Sequence, residues 1–430
     1  MGLMDTKERK NANGESSEIQ GIKGLRNLTW LLTNRNLSML FSGQLVSQIG
    51  DSLYQIGLIW LVLDFTGSKS ATGIVVMISH LPVLLFGLIG GVLVDRFNRR
   101  NVMAISDVLR ALVVLVIPVS YFLDAMSLSL VIAVSFVMAS LATVFNPARD
   151  SLVPDLVTKA HLVKANSLVQ VTNYFAIFAG PALGAAILGI IGIAHLFTID
   201  AATFMVSFIA IMFIAYRPVV TADQGKKGTA GLRGQLLEIL RYVRSEKRLA
   251  WLLVLTAINN FFIMGPAIVG TPIFVKEVLN QGASSYALVE SSLGFGMILG
   301  SILVNYLVKY LGKGKILLLG MIFDGVTYAL VMFTGSLSLF MVLIAFHAIG
   351  IPHIVVSRTS LIQEWTDSDK LGRVFSLTNM AVVGMTALTT GATGWLAEYV
   401  GIEIIFGVFG VLGMACGIIG WMNPDLRNSK

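Results

Sequence analysis

The chain has 430 residues, 55% of them apolar and 13% charged, with a net charge of +7 and a mean hydropathy of +0.80. An average soluble domain carries roughly 25% charged residues, and no soluble fold of this length hides so much apolar surface; a disordered chain, polar and charge-rich, is excluded by the same numbers. A disulfide scaffold is excluded by the single cysteine, Cys416, which leaves a polytopic membrane protein.

The first 24 residues are polar, with Lys7, Glu8, Arg9 and Lys10 and no apolar core near Met1, so no cleaved signal peptide is expected. Twelve apolar runs follow, each long enough to span a bilayer as a helix. They lie near 37–63, 71–94, 101–123, 128–147, 168–190 and 195–215, then near 249–271, 286–308, 316–334, 337–357, 376–398 and 402–422. Barrel strands do not fit, because they alternate over about ten residues. The expected fold is all-α: a segment 1–36, a six-helix bundle 37–216, a linker 217–248, a second bundle 249–422 and a tail 423–430. The linker carries the run Gly225-Lys226-Lys227-Gly228 and then Leu232, Leu236, Ile239, Leu240 and Val243 at helical spacing, which predicts an amphipathic helix on the membrane surface.

Lys and Arg collect in cytoplasmic loops. With both ends cytoplasmic, only Lys69 and Lys276 of the 31 Lys and Arg fall outside, and Arg110 falls within a span. The expected location is the cytoplasmic membrane, and the positive charge then reflects topology and needs no nucleic-acid partner. The halves are also related in sequence. Ser127-Leu128-Ser129-Leu130 recurs as Ser336-Leu337-Ser338-Leu339, and at the same offset Arg149 meets Arg358 and Ser167-Leu168 meets Ser376-Leu377. A duplicated six-helix unit suggests two bundles that rock about a central site.

In the first span Gln44, Gln48, Asp51 and Gln55 share one helix face. Four polar groups do not sit in lipid, so this face lines a cavity or the bundle interior. Asp51, near mid-span, either exchanges protons or attracts a cation, or is a carboxylate satisfied by its neighbours. Between spans 2 and 3 stands Gly91-Val92-Leu93-Val94-Asp95-Arg96-Phe97-Asn98-Arg99-Arg100. Gly91 lets helices approach closely. Asp95 can bond a helix N-terminus or an arginine, which makes a latch at one rim with Arg96, Arg99, Arg100, Arg110 and Arg149 as its basic members. Asn98 tolerates a left-handed turn. Asp107 and Arg110 lie three apart on one face and can pair with each other, with Asp95 or with Arg149.

The pattern Gly-x-Leu-x-Asp-Arg-x-x-Arg-Arg at 91–100 resembles the signature of the major facilitator superfamily. Three further stretches, 43–51, 145–156 and 371–377, look like its macrolide-efflux and enterobactin-exporter branch, while Leu162-Val163-Lys164-Ala165-Asn166-Ser167-Leu168 is similar to lysophospholipid transporters of a neighbouring branch. Gly180, Pro181 and Gly184 in span 5 resemble the Gly-Pro motif of exporters, or form a packing kink. The resemblance implies two pseudo-symmetric six-helix bundles and alternating access.

Further along, Asn173, Asn259 and Asn260 supply neutral hydrogen-bonding groups for a substrate cavity, and Glu290 enters span 8 either at the cavity mouth or as a solvated helix-start carboxylate. Asp51, Glu290 and Asp107 are the candidate proton or cation carriers. His347 and His353 fall on different faces, so no metal site is expected. No nucleotide-binding loop or catalytic motif occurs, so the chain is not expected to be an enzyme, and an ion gradient must supply the energy. The reading is a monomeric secondary exporter of small amphipathic compounds, macrolide-like or siderophore-like, by proton antiport. It needs no cofactor, sodium remains open as the ion, and a lysophospholipid transporter of the same fold is the alternative.

Overall fold

The computed structural model describes residues 34–158, 162–216, 232–367 and 370–429. The twelve apolar runs are twelve long helices. In the first half these are α1 (Arg35–Thr66), α2 (Lys69–Arg96), α3 (Arg99–Phe122), α4 (Leu128–Leu156), α5 (Leu162–Ile190) and α6 (Ala194–Met212). A surface helix α7 (Leu232–Ser245) follows. The second half comprises α8 (Lys247–Val278), α9 (Ala283–Leu311), α10 (Lys313–Val331), α11 (Leu337–Trp365), α12 (Leu371–Ala397) and α13 (Ile402–Trp421), closed by the short α14 (Pro424–Arg427). Such lengths satisfy every backbone group within the helix, as a bilayer interior demands.

The sequence repeat is built into the structure. α4 and α11 are each 29 residues long. Each starts at a serine in extended conformation, and Ser127 and Ser336 accept the amide N–H of Leu130 and Leu339. That hydrogen bond satisfies an otherwise orphaned helix-start donor. The loop residue Asn98 differs from its expected role. Its φ is −64°, not left-handed, and its side chain accepts from Asn101 to cap α3. Asparagine is there for its amide oxygen.

We call the end that carries Arg35, α7 and α14 the near end, and the opposite one the far end. α7 buries Ile239 and Val243 in a near-end cluster with Leu249, Leu361, Val374 and Leu426. Its Glu238 pairs with Arg373 at 3.0 Å, and Asp367 donates its backbone N–H to the Tyr242 hydroxyl. Outside the spans here, Lys370 beside Asp367 holds that carboxyl below its ordinary range. The N-terminal segment to residue 33 and the linker stretch 217–231 lie outside the described residues.

The halves meet through α2 with α12 and α5 with α9. Glycine makes both contacts possible. A Cβ on Gly73 would stand 2.7 Å from the Thr390 carbonyl oxygen and 3.0 Å from the Gly394 Cα, and one on Gly294 would stand 2.6 Å from the Phe178 Cα. Such backbone approach supplies the close packing that helices in lipid depend on.

Candidate functional site

Between the halves lies a cavity of about 600 Å³. Its wall is mostly apolar, with Ile56, Ile59, Ile263 and Leu293 among its members. Set into it are Gln48, Asp51 and Gln55 from α1, Asn173 from α5, Asn259 and Asn260 from α8, Glu290 from α9, Asp324 from α10, and His347 and Arg358 from α11. A few polar groups in an apolar wall of this size is the usual make-up of a small-molecule site.

Each polar residue has a distinct situation. Asp51 receives the Arg110 guanidinium at 2.5 Å, and that guanidinium lies over the Phe204 ring at 4.1 Å. The spacing in α3 suggests an Asp107–Arg110 pair; the structure turns Arg110 across to α1 instead. Asp107 is fully buried away from the cavity, with the Ser207 hydroxyl facing it. Arg110 therefore sits mid-helix in an ion pair and is no part of a rim latch, because α3 presents it to α1 and not to the loop. Asp200 is buried beside Gly50, the residue before Asp51. Glu290 makes no hydrogen bond or ion pair among the described residues and is open to the cavity. Asn260 donates to the Val382 carbonyl at 3.0 Å and the Thr386 hydroxyl at 2.8 Å, tying α8 to α12. Asn259 is 4% exposed, with its Nδ2 unpaired. Gln44 faces a smaller void shared with Arg149 and Thr172, outside the main cavity.

The Gly-Pro segment packs α5 on α1. A Cβ on Gly180 would stand 2.5 Å from the Ser52 Cβ and one on Gly184 would stand 3.2 Å from Leu53, while Pro181 lines the cavity. The side chains of Gly91, Asp95 and Arg96 lie outside the described residues. Among the described latch residues, Arg99 bonds Asp155 and the Ser151 carbonyl, Arg100 bonds the Ile214 carbonyl, and Arg149 pairs with Asp150 at 2.8 Å. All of these partners belong to the first half.

Sequence reasoning missed two features of the wall. The first is the contact of Asp324 with His347, Nδ1 to Oδ1 3.3 Å, both side chains buried. The second is Arg358, which makes no ion pair among the described residues. The repeat that matches Arg358 to Arg149, and the rule that an acid within a span needs a partner, were the available signals.

At the far end the cavity is shut. One apolar cluster joins Ile56, Trp60, Leu63 and Val76 of the first half to Ile273, Phe274, Tyr286 and Ala397 of the second. Trp60 stacks on Tyr286 at 5.9 Å. Ion pairs Lys69–Glu277 at 2.7 Å and Lys276–Asp64 at 2.9 Å bridge the halves. Glu398 accepts from the Ser68 hydroxyl and the Ser70 amide, each at 2.9 Å. The Ser70 N–H, with Ser68 and Lys69 beside it, holds the Glu398 carboxyl below its ordinary range. At the near end the clusters stay separate, one within the first half around Leu40, Phe145 and Leu152, the other within the second.

Comparison with known proteins agrees with this geometry. The profile of the family described as "Transmembrane secretion effector" matches residues 31–428. The MFS-type transporter YfiS of Bacillus subtilis is 27% identical over 92% of this chain and 95% of its own. The multidrug efflux pump Tap of Mycolicibacterium fortuitum is 26% identical over 91% and 96%, and macrolide efflux protein A of Streptococcus pyogenes is 23% identical over 90% and 96%. In fold, the chain is similar to the nucleoside transporter NupG, with a TM-score of 0.74 at 10% identity over 89% of this chain and 99% of the other.

Proposed function

The chain belongs to the transmembrane secretion effector family, a group of major facilitator transporters, and from that premise we propose that it exports small amphipathic compounds from the cell by proton antiport. The observation that carries the reading is the cavity between the halves, open toward the near end, with Asp51 and Glu290 in its wall. The near end is cytoplasmic in this reading, in keeping with the Lys and Arg distribution. The structure then corresponds to a state that loads from the cytoplasm.

Asp51 carries the exchange. With its proton gone, the carboxylate is held by Arg110. A proton arriving from outside removes that attraction, and a cationic or amphipathic solute entering from the near end competes for the same charge. The two cargoes thus exclude one another at one side chain, which is the requirement for antiport. Glu290, open and unpaired, offers a second contact to a cationic group. The Met and Ile of the wall suit a solute recognised by shape and apolar surface. The names of the efflux relatives support export of drug-like compounds as the direction and class. A monomer suffices, since one chain holds both halves of the site.

The test uses the purified full chain in vesicles under an imposed pH gradient, with ethidium, erythromycin and a fluorescent lysophospholipid as separate probes. Ethidium or erythromycin moving uphill in the wild type, and Asp51→Asn losing that pH-driven movement, is the expected result. Movement indifferent to the gradient overturns proton antiport. Movement of the lysophospholipid alone transfers the protein to lipid transport.

A further inference from the structure

Each half buries a charge within its third helix. In the first half it is Arg110 on α3, and in the second it is Asp324 on α10. In the first half the charge is matched by Asp51. In the second half no lysine or arginine meets Asp324 among the described residues. What meets it is His347 of α11, Nδ1 to Oδ1 3.3 Å, with relative exposures of 1% and 4% for the two side chains.

The surroundings are specific. The Thr327 hydroxyl lies 3.3 Å from the same His347 nitrogen. The Tyr328 ring stacks on the imidazole, centroids 3.9 Å apart and planes at 17°. Asp324 Oδ1 and the Tyr328 hydroxyl are buried without a hydrogen bond. Other elements around α10 add little charge. α13 faces it with Gly410 and Gly417 and carries no charged residue after Glu403. α8 contributes no charge between Arg248 and Lys276. From α9 comes Glu290 and from α11 also His353 and Arg358, the first and last of them in the cavity wall with the pair itself.

We propose that Asp324 and His347 form a second proton-exchange site, in the half whose buried third-helix charge meets an imidazole and no guanidinium. A bare carboxylate at this depth carries a large desolvation cost, and arginine is absent to offset it. A single proton, on the carboxylate or on the imidazole, makes the pair net neutral. Because both residues border the cavity, that proton exchanges with water when the near end is open and is sealed off when it is not. An imidazole can give up or take a proton, as a guanidinium cannot. The placement of the site in a transport cycle rests on the antiport reading; the exchange of the proton does not.

The experiment is infrared difference spectroscopy of the full chain in lipid, titrated in heavy water without any solute. The wild type is expected to show a carboxylic-acid carbonyl band that titrates and that Asp324→Asn removes, and His347→Gln is expected to move its titration by about one pH unit or more. Spectra of wild type and Asp324→Asn that coincide at every pH overturn the proposal, as does a band that His347→Gln leaves in place. Should Asp324→Asn fail to fold, His347→Gln alone decides by the same criterion. A titrating band at Asp324 in protein that moves no probe under a pH gradient overturns the antiport reading and leaves this site standing.

Discussion

The far and near ends of the molecule are made of the same twelve helices but are held differently. At the far end a single apolar cluster contains residues of both halves; at the near end each half keeps a cluster to itself. The ion pairs that cross between the halves, Lys69–Glu277 and Lys276–Asp64, also stand at the far end. The rim arginines Arg99, Arg100 and Arg149 spend their hydrogen bonds inside the first half. The lesson is that closure is a property of one end at a time. The helix interiors need not change for the halves to rock; only what joins their tips must.

The contrast can be broken at the far end in graded steps. The readout is the labelling of a cysteine at Val76, buried in the shared cluster, by a membrane-impermeant maleimide, in a Cys416→Ala background and normalised to an exposed cysteine. The largest effect is expected from Trp60→Ala, which removes a ring stacked on Tyr286 within that cluster. Truncating a buried tryptophan costs about 3–5 kcal/mol, so Val76 should change from protected to readily labelled. Unchanged labelling would show that the cluster does not hold the end shut.

Gly73→Val ranks next. Its added carbons meet the Thr390 carbonyl and the Gly394 backbone, neither of which can move aside as a flexible side chain would. Overpacking of this kind costs about 1–3 kcal/mol. Labelling should rise less than for Trp60→Ala, and a rate equal to wild type would mean that α2 and α12 part without consequence.

The smallest effect belongs to Glu398→Gln. Exposed ion pairs and hydrogen bonds of this sort contribute under about 1 kcal/mol. The sign with pH follows from the lowered carboxyl. Its contribution to closure is present above the ordinary glutamate range and is lost as the pH falls through the lowered value. Acid should therefore raise labelling of the wild type, and the Glu398→Gln variant should lose that increment. An acid response of equal size in both proteins would remove Glu398 from the gate.

The fold was readable because lipid leaves little choice: twenty apolar residues in a row must be a helix, and Lys and Arg mark the ends. The duplicated unit showed in Ser127 and Ser336, which proved to cap equivalent helices. The polar face of α1 was readable too, since a period of 3.6 places Gln48, Asp51 and Gln55 together, and all three border the cavity. Partners across helices were not readable. Whether Arg110 meets Asp107 or Asp51 depends on how α3 is rotated against α1, and spacing along α3 says nothing of that. Asp324 and His347 come from successive antiparallel helices, and no periodicity links them. The threonines of α12 show the same limit. Thr389 and Thr393 pack against Gly265 of α8 and join helices, though their composition would serve a cavity equally well.

The central claim, that the two ends open in alternation, is tested most directly by distances between spin labels at both ends of the full chain in lipid. Exposed Ser129 on α4 and Ser338 on α11 report the far end, and Asn101 on α3 and Gln363 on α11 report the near end. Two populations are expected, one short at the far end and long at the near end, the other reversed, exchanging weight together as the pH is changed. A single distance at each end at every pH, or both ends lengthening at once, would contradict the account.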